Sequence, residues 1–500
     1  MSGPIDPRTP CLIGAAQRTW HPSPARLAPE PLAMQTLMVR EAAEDAGATG
    51  GGGAVLAAAE SLSVVNCMSW PYDDPAGRLA EALAITPGHR HYSAMSGTTP
   101  QALVNVASRR MRVGDLGVAV IVGAEALHTK RTLKQAGERP AWSFRSSEPP
   151  ALDPSISFLP SELTHEVFQA WLTFAVRDIA RRAASGESPE AHRRSIGELM
   201  APMTTVAAAN PHAWFRRERT VDDLVVPTPD NRMVGYPYTK NTVAIMDVDM
   251  AAAVIVATHE AADRLGVPAE RRVYLRGFAE ADDATYLAQH PDLARSPGMA
   301  SAFAAALSGA GGVDVEEIAH FDLYSCFASS VHFALDALGL TAEGLASSGR
   351  SVTVTGGLPF AGGPASNYVS HSLASMVERL RAEPGSSGLV SGVGMHMTKH
   401  AAAVYSTTPG DLSEPAPAPP PEVIAVVDTY SGQATIAAYS VVHGRDGEAV
   451  SALVVADTAD GSRCYGRTDD ADTFTAMEAD EWVGRAITLR SGDDGVNRIV

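Results

Sequence analysis

The chain has 500 residues, 45% of them hydrophobic and 19% charged, with a formal net charge of -18. That length calls for about two to four domains with large buried cores, and the composition excludes a disordered chain. The acidic balance argues against a nucleic-acid partner, because neutralising phosphates takes a basic surface.

Cys11, Cys67, Cys326 and Cys464 form no Cys-x-x-Cys pair. Neither a zinc site nor a disulfide framework is therefore expected, and a reduced, cytoplasmic setting follows. The opening "MSGPIDPRTPCLIGAAQRTW" has no apolar run behind basic residues. No run elsewhere approaches the roughly 20 apolar residues that span a bilayer, so neither a signal peptide nor a membrane partner is expected.

In chain order, "CLIGAAQ" (11–17) reads as a short strand and 30–47 has helical spacing ending at Gly47. "AESLSVVNCM" (59–68) reads as a buried strand, "HYSAM" leads into a helix over 100–113, and 116–126 is a near-continuous apolar run. Such runs separated by helices predict a sheet covered on both faces. From 127 to 240 the texture turns charged, Pro-containing and aromatic around a helix at 168–184. A segment of that kind inside an alternating pattern predicts an inserted loop or lid domain. Alternation resumes and runs to 407.

The order strand, small-residue turn, helix, glycine, strand over 91–126 returns over 351–395, beginning with "SVTVT". This predicts two similar α/β halves with a site between them. A Pro-rich linker (408–423) precedes 424–500, where "GRDGE" and "ADGSR" mark hairpin turns of a small OB-like β-barrel. The expected division is 1–126 plus 241–270 as one half, 127–240 as the loop domain, 271–407 as the other half, then linker and barrel.

In "SAMSGTTPQA", Ser96 occupies a strand-to-helix turn, a seat for a nucleophile. Thr99 followed by Pro100 reads as N-cap and first helical residue, which explains the turn without catalysis. His396 and His400 have i, i+4 spacing, but no Glu follows His396 as in H-E-x-x-H. A packing or surface role is expected for them, and no metal.

The stretches "VVNCMSWPYDDPAGRLAEALAI", "DNRMVGYPYTK", "DLYSCFASSVHFALDALGL" and "GGPASNYVSHSLASMVERLR" resemble the thiolase superfamily. The resemblance is to the branch of mycobacterial thiolase-like proteins of type 1, which are acetyl-CoA acetyltransferase-like and carry an extra C-terminal domain. It covers residues 8–407 and implies a five-layer αβαβα thiolase fold, an acyltransferase ancestry in lipid metabolism, and CoA or acyl-CoA as ligand. Anchored on Gln101-Ala102, the cysteine of C-G-S-G-x-Q-A falls on Ser96. The activating histidine of G-H-P falls on Gly363, and the acid/base cysteine of C-x-G-G-G-M-G on Val390. The N-E-A-F or H-D-C-F element reads Tyr324-Ser325-Cys326-Phe327, with Cys326 at a structural position, and the CoA-contacting serine falls at Ile245.

A serine hydroxyl is far more basic than a thiol and needs a positioned base. The residue that would supply that base is glycine here, and the group that would move the α-proton is also missing. Weak or no ordinary thiolase activity follows. The backbone N–H groups of Ser96 and Gly392 remain as an expected oxyanion pair, with Gly97 keeping the turn open. Tyr324 and Tyr368 are candidate acid/base groups, as in the thiolase-fold retro-aldolases that lack the cysteine and associate with an OB-fold partner. The other reading of each tyrosine is packing with one hydrogen bond. His371 shares a helix face with Tyr368 and stands as a substitute for the missing imidazole, or as an ordinary helix residue. Arg216, Arg217 and Arg219, with Lys240, are candidates to grip CoA phosphates or else form a solvated face.

Three functions stand at this stage: a CoA-thioester-binding protein without thiolase turnover, a CoA-thioester carbon–carbon lyase, and a non-catalytic interaction protein. The branch implies a monomer. If the chain dimerises as thiolases usually do, the segment 116–126 is the expected interface.

Overall fold

The computed structural model describes residues 5–23, 27–148 and 157–500. Residues 1–4 of the N-terminal stretch and the two prolines closing "SFRSSEPP" lie outside the described residues.

The first half contains β1 (Pro10–Thr19), α1 (Pro31–Asp45), α2 (Gly51–Ala57), β2 (Ser61–Val64), α3 (Pro75–Leu83) and β3 (His89–Tyr92). It continues with α4 (Thr99–Arg112) and β4 (Val118–Ala126). The insertion carries α5 (Leu127–Gln135), α6 (Pro160–Thr164), α7 (Ala170–Ser185), α8 (Pro189–Ala209), α9 (Val221–Val225), β5 (Met233–Gly235) and β6 (Tyr238–Thr239). The first half then closes with β7 (Asp249–Thr258) and α10 (His259–Arg264). The second half contains β8 (Val273–Asp282), α11 (Pro297–Gly309), β9 (His320–Asp322), α12 (Ala328–Leu338), α13 (Ala342–Ser347) and α14 (Tyr368–Ala382). It ends with β10 (Ser387–Gly394) and β11 (Lys399–Ser406).

These strands form one nine-stranded sheet in the order β3-β2-β4-β7-β1-β8-β11-β10-β9. Read outward from its centre, β1, β7, β4 and β2 correspond to β8, β11, β10 and β9. The halves join where Cys11 and Leu12 pair with Tyr274 and Val273. Every residue of β4 and of β7 is buried, as their unbroken apolar runs require. Helices α4 and α14 touch strands of both halves, while α1 and α3 cover the first half and α11, backed by α12, the second. The result is the five-layer αβαβα stack of the thiolase fold.

The C-terminal region comprises β12 (Gly432–His443), β13 (Ala449–Thr458), β14 (Arg463–Thr468), α15 (Ala471–Ala479), β15 (Ala486–Ser491) and β16 (Asn497–Ile499). The order β12-β13-β14-β16-β15, with β15 returning to β12, closes a five-stranded barrel. The parallel pairing of β14 with β16 and the helix between β14 and β15 give it OB topology. The predicted hairpin turns fall at 444–448 and 459–462.

The barrel is fastened to the rest of the chain. Tyr236 donates its N–H to Val441 O (2.8 Å), so the β5–β6 hairpin of the insertion extends the barrel sheet. Arg182 of α7, fully buried, donates to Tyr236 Oη (2.8 Å) and Tyr439 Oη (2.9 Å) and pairs with Glu481 (3.0 Å). Tyr465 donates to the buried Glu162 (2.9 Å).

Two expectations need correction. "SVTVT" forms no strand: Thr353 and Thr355 turn their donors onto Asp322 instead of a neighbouring strand, so the second half has one strand fewer than the first. The segment 116–126 supplies β4, which lies between β2 and β7 and offers no free edge. The edge strand of the first half is instead β3, His89–Tyr92, exposed along its length and carrying the charged Arg90, which discourages pairing with another chain. Of the two histidines at i, i+4 spacing, His396 lies in the β10–β11 turn and His400 on β11.

Candidate functional site

The Ser96 turn enters α4 against strand β10. A Cβ built on Gly97 would fall 2.1 Å from Val393 O and 2.5 Å from Tyr324 Oη. One built on Gly392 would fall 2.9 Å from Thr98 Cα, and one on Gly394 2.1 Å from Ser96 Oγ. Gly97 and Gly392 thus let turn and strand touch backbone to backbone, and Gly394 leaves room for the Ser96 hydroxyl. The non-glycine residues Ala365, Met395 and Met397 have φ of 45°, 55° and 61°. Each costs about 1–3 kcal/mol, and the three gather around this turn.

Ser96 is a capping residue here. Its Oγ accepts from the Thr98 N–H (3.2 Å) and shares a 2.7 Å hydrogen bond with Thr98 Oγ1. No imidazole, carboxylate or amine contacts it among the described residues. The N-cap of α4 is Thr98 rather than Thr99, because the turn is closed one residue earlier by Ser96. The Ser96 N–H, expected to face a carbonyl, donates to Ser366 Oγ (3.2 Å). That hydroxyl can rotate away for a ligand oxygen. Gly392 lies opposite Ala401 in the β10–β11 ladder.

The other positions read from the resemblance hold Gly363 and Val390, neither of which carries an ionisable group. Gly363 donates its N–H to Ile245 O (2.8 Å), and a Cβ there would meet Leu358 Cδ2 at 3.3 Å. The space an imidazole would take is thus edged by Leu358. Val390 is fully buried on β10. His371 is buried on α14, with Nδ1 3.1 Å from Gln17 Oε1 of β1; burial holds it down at about 3, so it stays neutral. Burial pushes the Cys326 thiol up to about 12.

The two candidate tyrosines differ. Tyr368 Oη shares a 2.6 Å bond with Thr355 Oγ1 and donates to Asp322 Oδ1 (3.2 Å). Asp322 is completely buried and also accepts from Thr353, Val354, Thr355 and Ser372. Burial raises its pKa, and these donors pull against that rise. Tyr368 is therefore part of a polar hub under the 353–358 loop. Tyr324 packs edge-on against it at 5.6 Å and is 7% exposed. Its hydroxyl has no hydrogen-bond partner among the described residues and sits beside Gly97. Burial, then the neighbouring Cys326, raises its pKa well above the ordinary phenol value.

Trp214 and Phe215 run along Ala361 and Phe360 through backbone hydrogen bonds of 2.9 Å each. Arg216 and Arg217, both exposed, therefore leave directly from the loop that holds Gly363. Neither makes an ion pair among the described residues. Lys240 instead donates to Asp230 O (3.2 Å). No group of three or more His, Cys, Asp or Glu side chains among the described residues is arranged to hold a metal ion.

Sequence reasoning passed over Ser366, Asp322 and Gly394. Only Gly394 had a local signal, the Gly-Val-Gly alternation that marks close approach on one strand face.

A nine-stranded sheet of two matched halves, with a glycine-lined turn at the head of a middle-layer helix, is the thiolase fold. Residues 415–494 match the thiolase-like protein type 1 additional C-terminal domain. A monomeric SCP2-thiolase like protein type 1 from Mycobacterium smegmatis is 28% identical, with TM-score 0.83 and 99% of each chain covered. The chain is thus similar to a type 1 thiolase-like protein over its whole length, and its C-terminal region matches the additional domain of that type. An Ltp2-ChsH2(DUF35) aldolase shares the fold at 16% identity and TM-score 0.60, over 80% of this chain and 98% of that one. So does the dimeric peroxisomal thiolase of Saccharomyces cerevisiae, at 15% identity and TM-score 0.55, over 80% of this chain and 98% of that one. No curated protein matches by sequence.

Proposed function

We propose that this protein holds a CoA thioester at the Ser96–Gly97 turn and does not run an ordinary thiolase reaction. One observation carries the reading: the Ser96 hydroxyl is spent on Thr98 with no base beside it, while the glycine-lined approach of turn to strand is intact. The thioester carbonyl would displace Ser366 Oγ from the Ser96 N–H, with Gly392 as the second donor. Arg216 and Arg217 would meet the nucleotide phosphates. CoA is then a ligand, and neither a metal nor a covalent cofactor takes part. The protein acts as a monomer, like its Mycobacterium smegmatis relative, in the cytoplasm.

Calorimetric titration with CoA and acetyl-CoA tests this. Saturable binding weakened by Arg216→Ala with Arg217→Ala is the expected result, and no binding at millimolar ligand overturns it.

The lyase reading rests on a separate observation: the hydroxyl of the largely buried Tyr324 lies beside Gly97 without a hydrogen-bond partner among the described residues. An aldolase is also among the fold neighbours. It assigns acid/base work to Tyr324 alone, because Tyr368 is committed to Asp322 and Thr355. Release of an aldehyde or ketone from a β-hydroxyacyl-CoA, lost in Tyr324→Phe, would support it; no release by the wild type would remove it.

A further inference from the structure

A cavity of about 300 Å³ opens at the turn between β10 and β11, lined by Asp282, Asp283, His396, Thr398 and Lys399 among others. Met395 of its lining directly follows Gly394, which packs on Ser96. The point where a Cβ on Gly394 would lie is 2.1 Å from Ser96 Oγ and 3.3 Å from Lys399 Cβ. A group held at Ser96 and extended past Gly394 therefore runs toward Lys399.

The polar groups of this cavity are poised and underused. Lys399 stands directly opposite Asp282 in the β11–β8 register, yet no ion pair forms between them. Neither makes any side-chain hydrogen bond among the described residues. The His396 imidazole is fixed through Nδ1 to Thr173 Oγ1 (2.9 Å), and burial keeps it near 4, hence neutral, with Nε2 unassigned. Thr398 is 3% exposed, and its hydroxyl has no partner among the described residues. Asp283 is occupied: Oδ1 accepts from the Gly298 N–H (2.7 Å), and Oδ2 meets His400 Nε2 (3.0 Å) and the Ser296 hydroxyl.

An ammonium and a carboxylate facing each other without contact favour a neutral group that both accepts and donates. A carboxylate would be repelled by Asp282 and Asp283, an amine by Lys399, and an alkyl end would leave all of them unpaired. Resting on the CoA-thioester reading above, we propose that the acyl group this site selects carries a hydroxyl at its far end. Lys399 donates to that hydroxyl and Asp282 accepts from it.

The test is calorimetric titration of the full chain with CoA, butyryl-CoA, γ-hydroxybutyryl-CoA and succinyl-CoA, using wild type, Lys399→Met and Asp282→Asn, with circular dichroism to verify folding. The wild type should bind the hydroxylated thioester about tenfold more tightly than butyryl-CoA. Lys399→Met should abolish most of that preference while binding CoA itself unchanged. If CoA and butyryl-CoA bind but the hydroxyl gives no advantage, the inference falls and the CoA reading stands. Tightest binding of succinyl-CoA, or a hydroxyl preference untouched by both substitutions, also overturns it. Absence of binding by every CoA species overturns the underlying reading as well.

Discussion

Asp178 of α7, with no solvent exposure, faces His192 of α8 at 3.3 Å and His332 of α12 at 3.9 Å, while Tyr238 donates to its other oxygen at 2.7 Å. The 3.3 Å contact is an ion pair whose angle misses that of a good hydrogen bond. Burial by itself would lower the His192 pKa; the carboxylates of Asp178 and Glu187 outweigh it and raise the imidazole from 6.5 to about 9. A rise of that size corresponds to about 3 kcal/mol favouring the charged form. The folded-state pKa lies above the unfolded one. The pair's contribution is therefore complete below pH 6.5 and disappears as pH climbs through about 9. Asp178→Asn removes the buried carboxylate and leaves only Glu187 to oppose burial, so His192 should then titrate well below its wild-type value, with a loss of up to about 3 kcal/mol at neutral pH. Isotope-labelled histidine NMR, with His192→Gln to assign the resonance, measures this directly. A wild-type His192 titrating at or below 6.5 would refute the reasoning.

Other expectations follow from single contacts. Tyr368→Phe should cost about 1–2 kcal/mol, since it takes one hydrogen-bond partner each from the buried Asp322 and Thr355, whereas Tyr324→Phe should stay within about 0.5 kcal/mol; thermal melts compare the two. Gly97→Ala should lower Tm by the equivalent of about 2–3 kcal/mol, because a methyl 2.1 Å from the Val393 carbonyl forces turn and strand apart. Arg182→Met leaves Tyr236, Tyr439 and Glu481 without their shared donor. Limited proteolysis within 408–423 should then release the barrel, which stays associated in the wild type; equal cleavage patterns would show that Arg182 does not fasten it.

What the sequence revealed follows the range of the interactions involved. Strands β4 and β7 were legible because burial on both faces leaves an uninterrupted apolar run, and the barrel because its hairpin turns carry local glycine chemistry. The region 351–355 looked like a strand because alternating Val and Thr fit a pleat. Only the distant Asp322 decides that those threonines donate inward. Ser96 was legible as a position but not as a state. Its capping bond to Thr98 is local, but the Ser366 hydroxyl on its N–H comes from the other half of the chain. Likewise the separation of Tyr324 from Tyr368 by function required their partners, since both residues read alike in sequence.

The most direct test of the central claim is intact mass measured after incubation with acetyl-CoA, on protein shown by calorimetry to bind it. Binding with no acetyl adduct at Ser96 is the predicted result. An adduct that forms in the wild type and vanishes in Ser96→Ala would contradict it, because the hydroxyl would then be a nucleophile despite its bond to Thr98 and the glycine at 363.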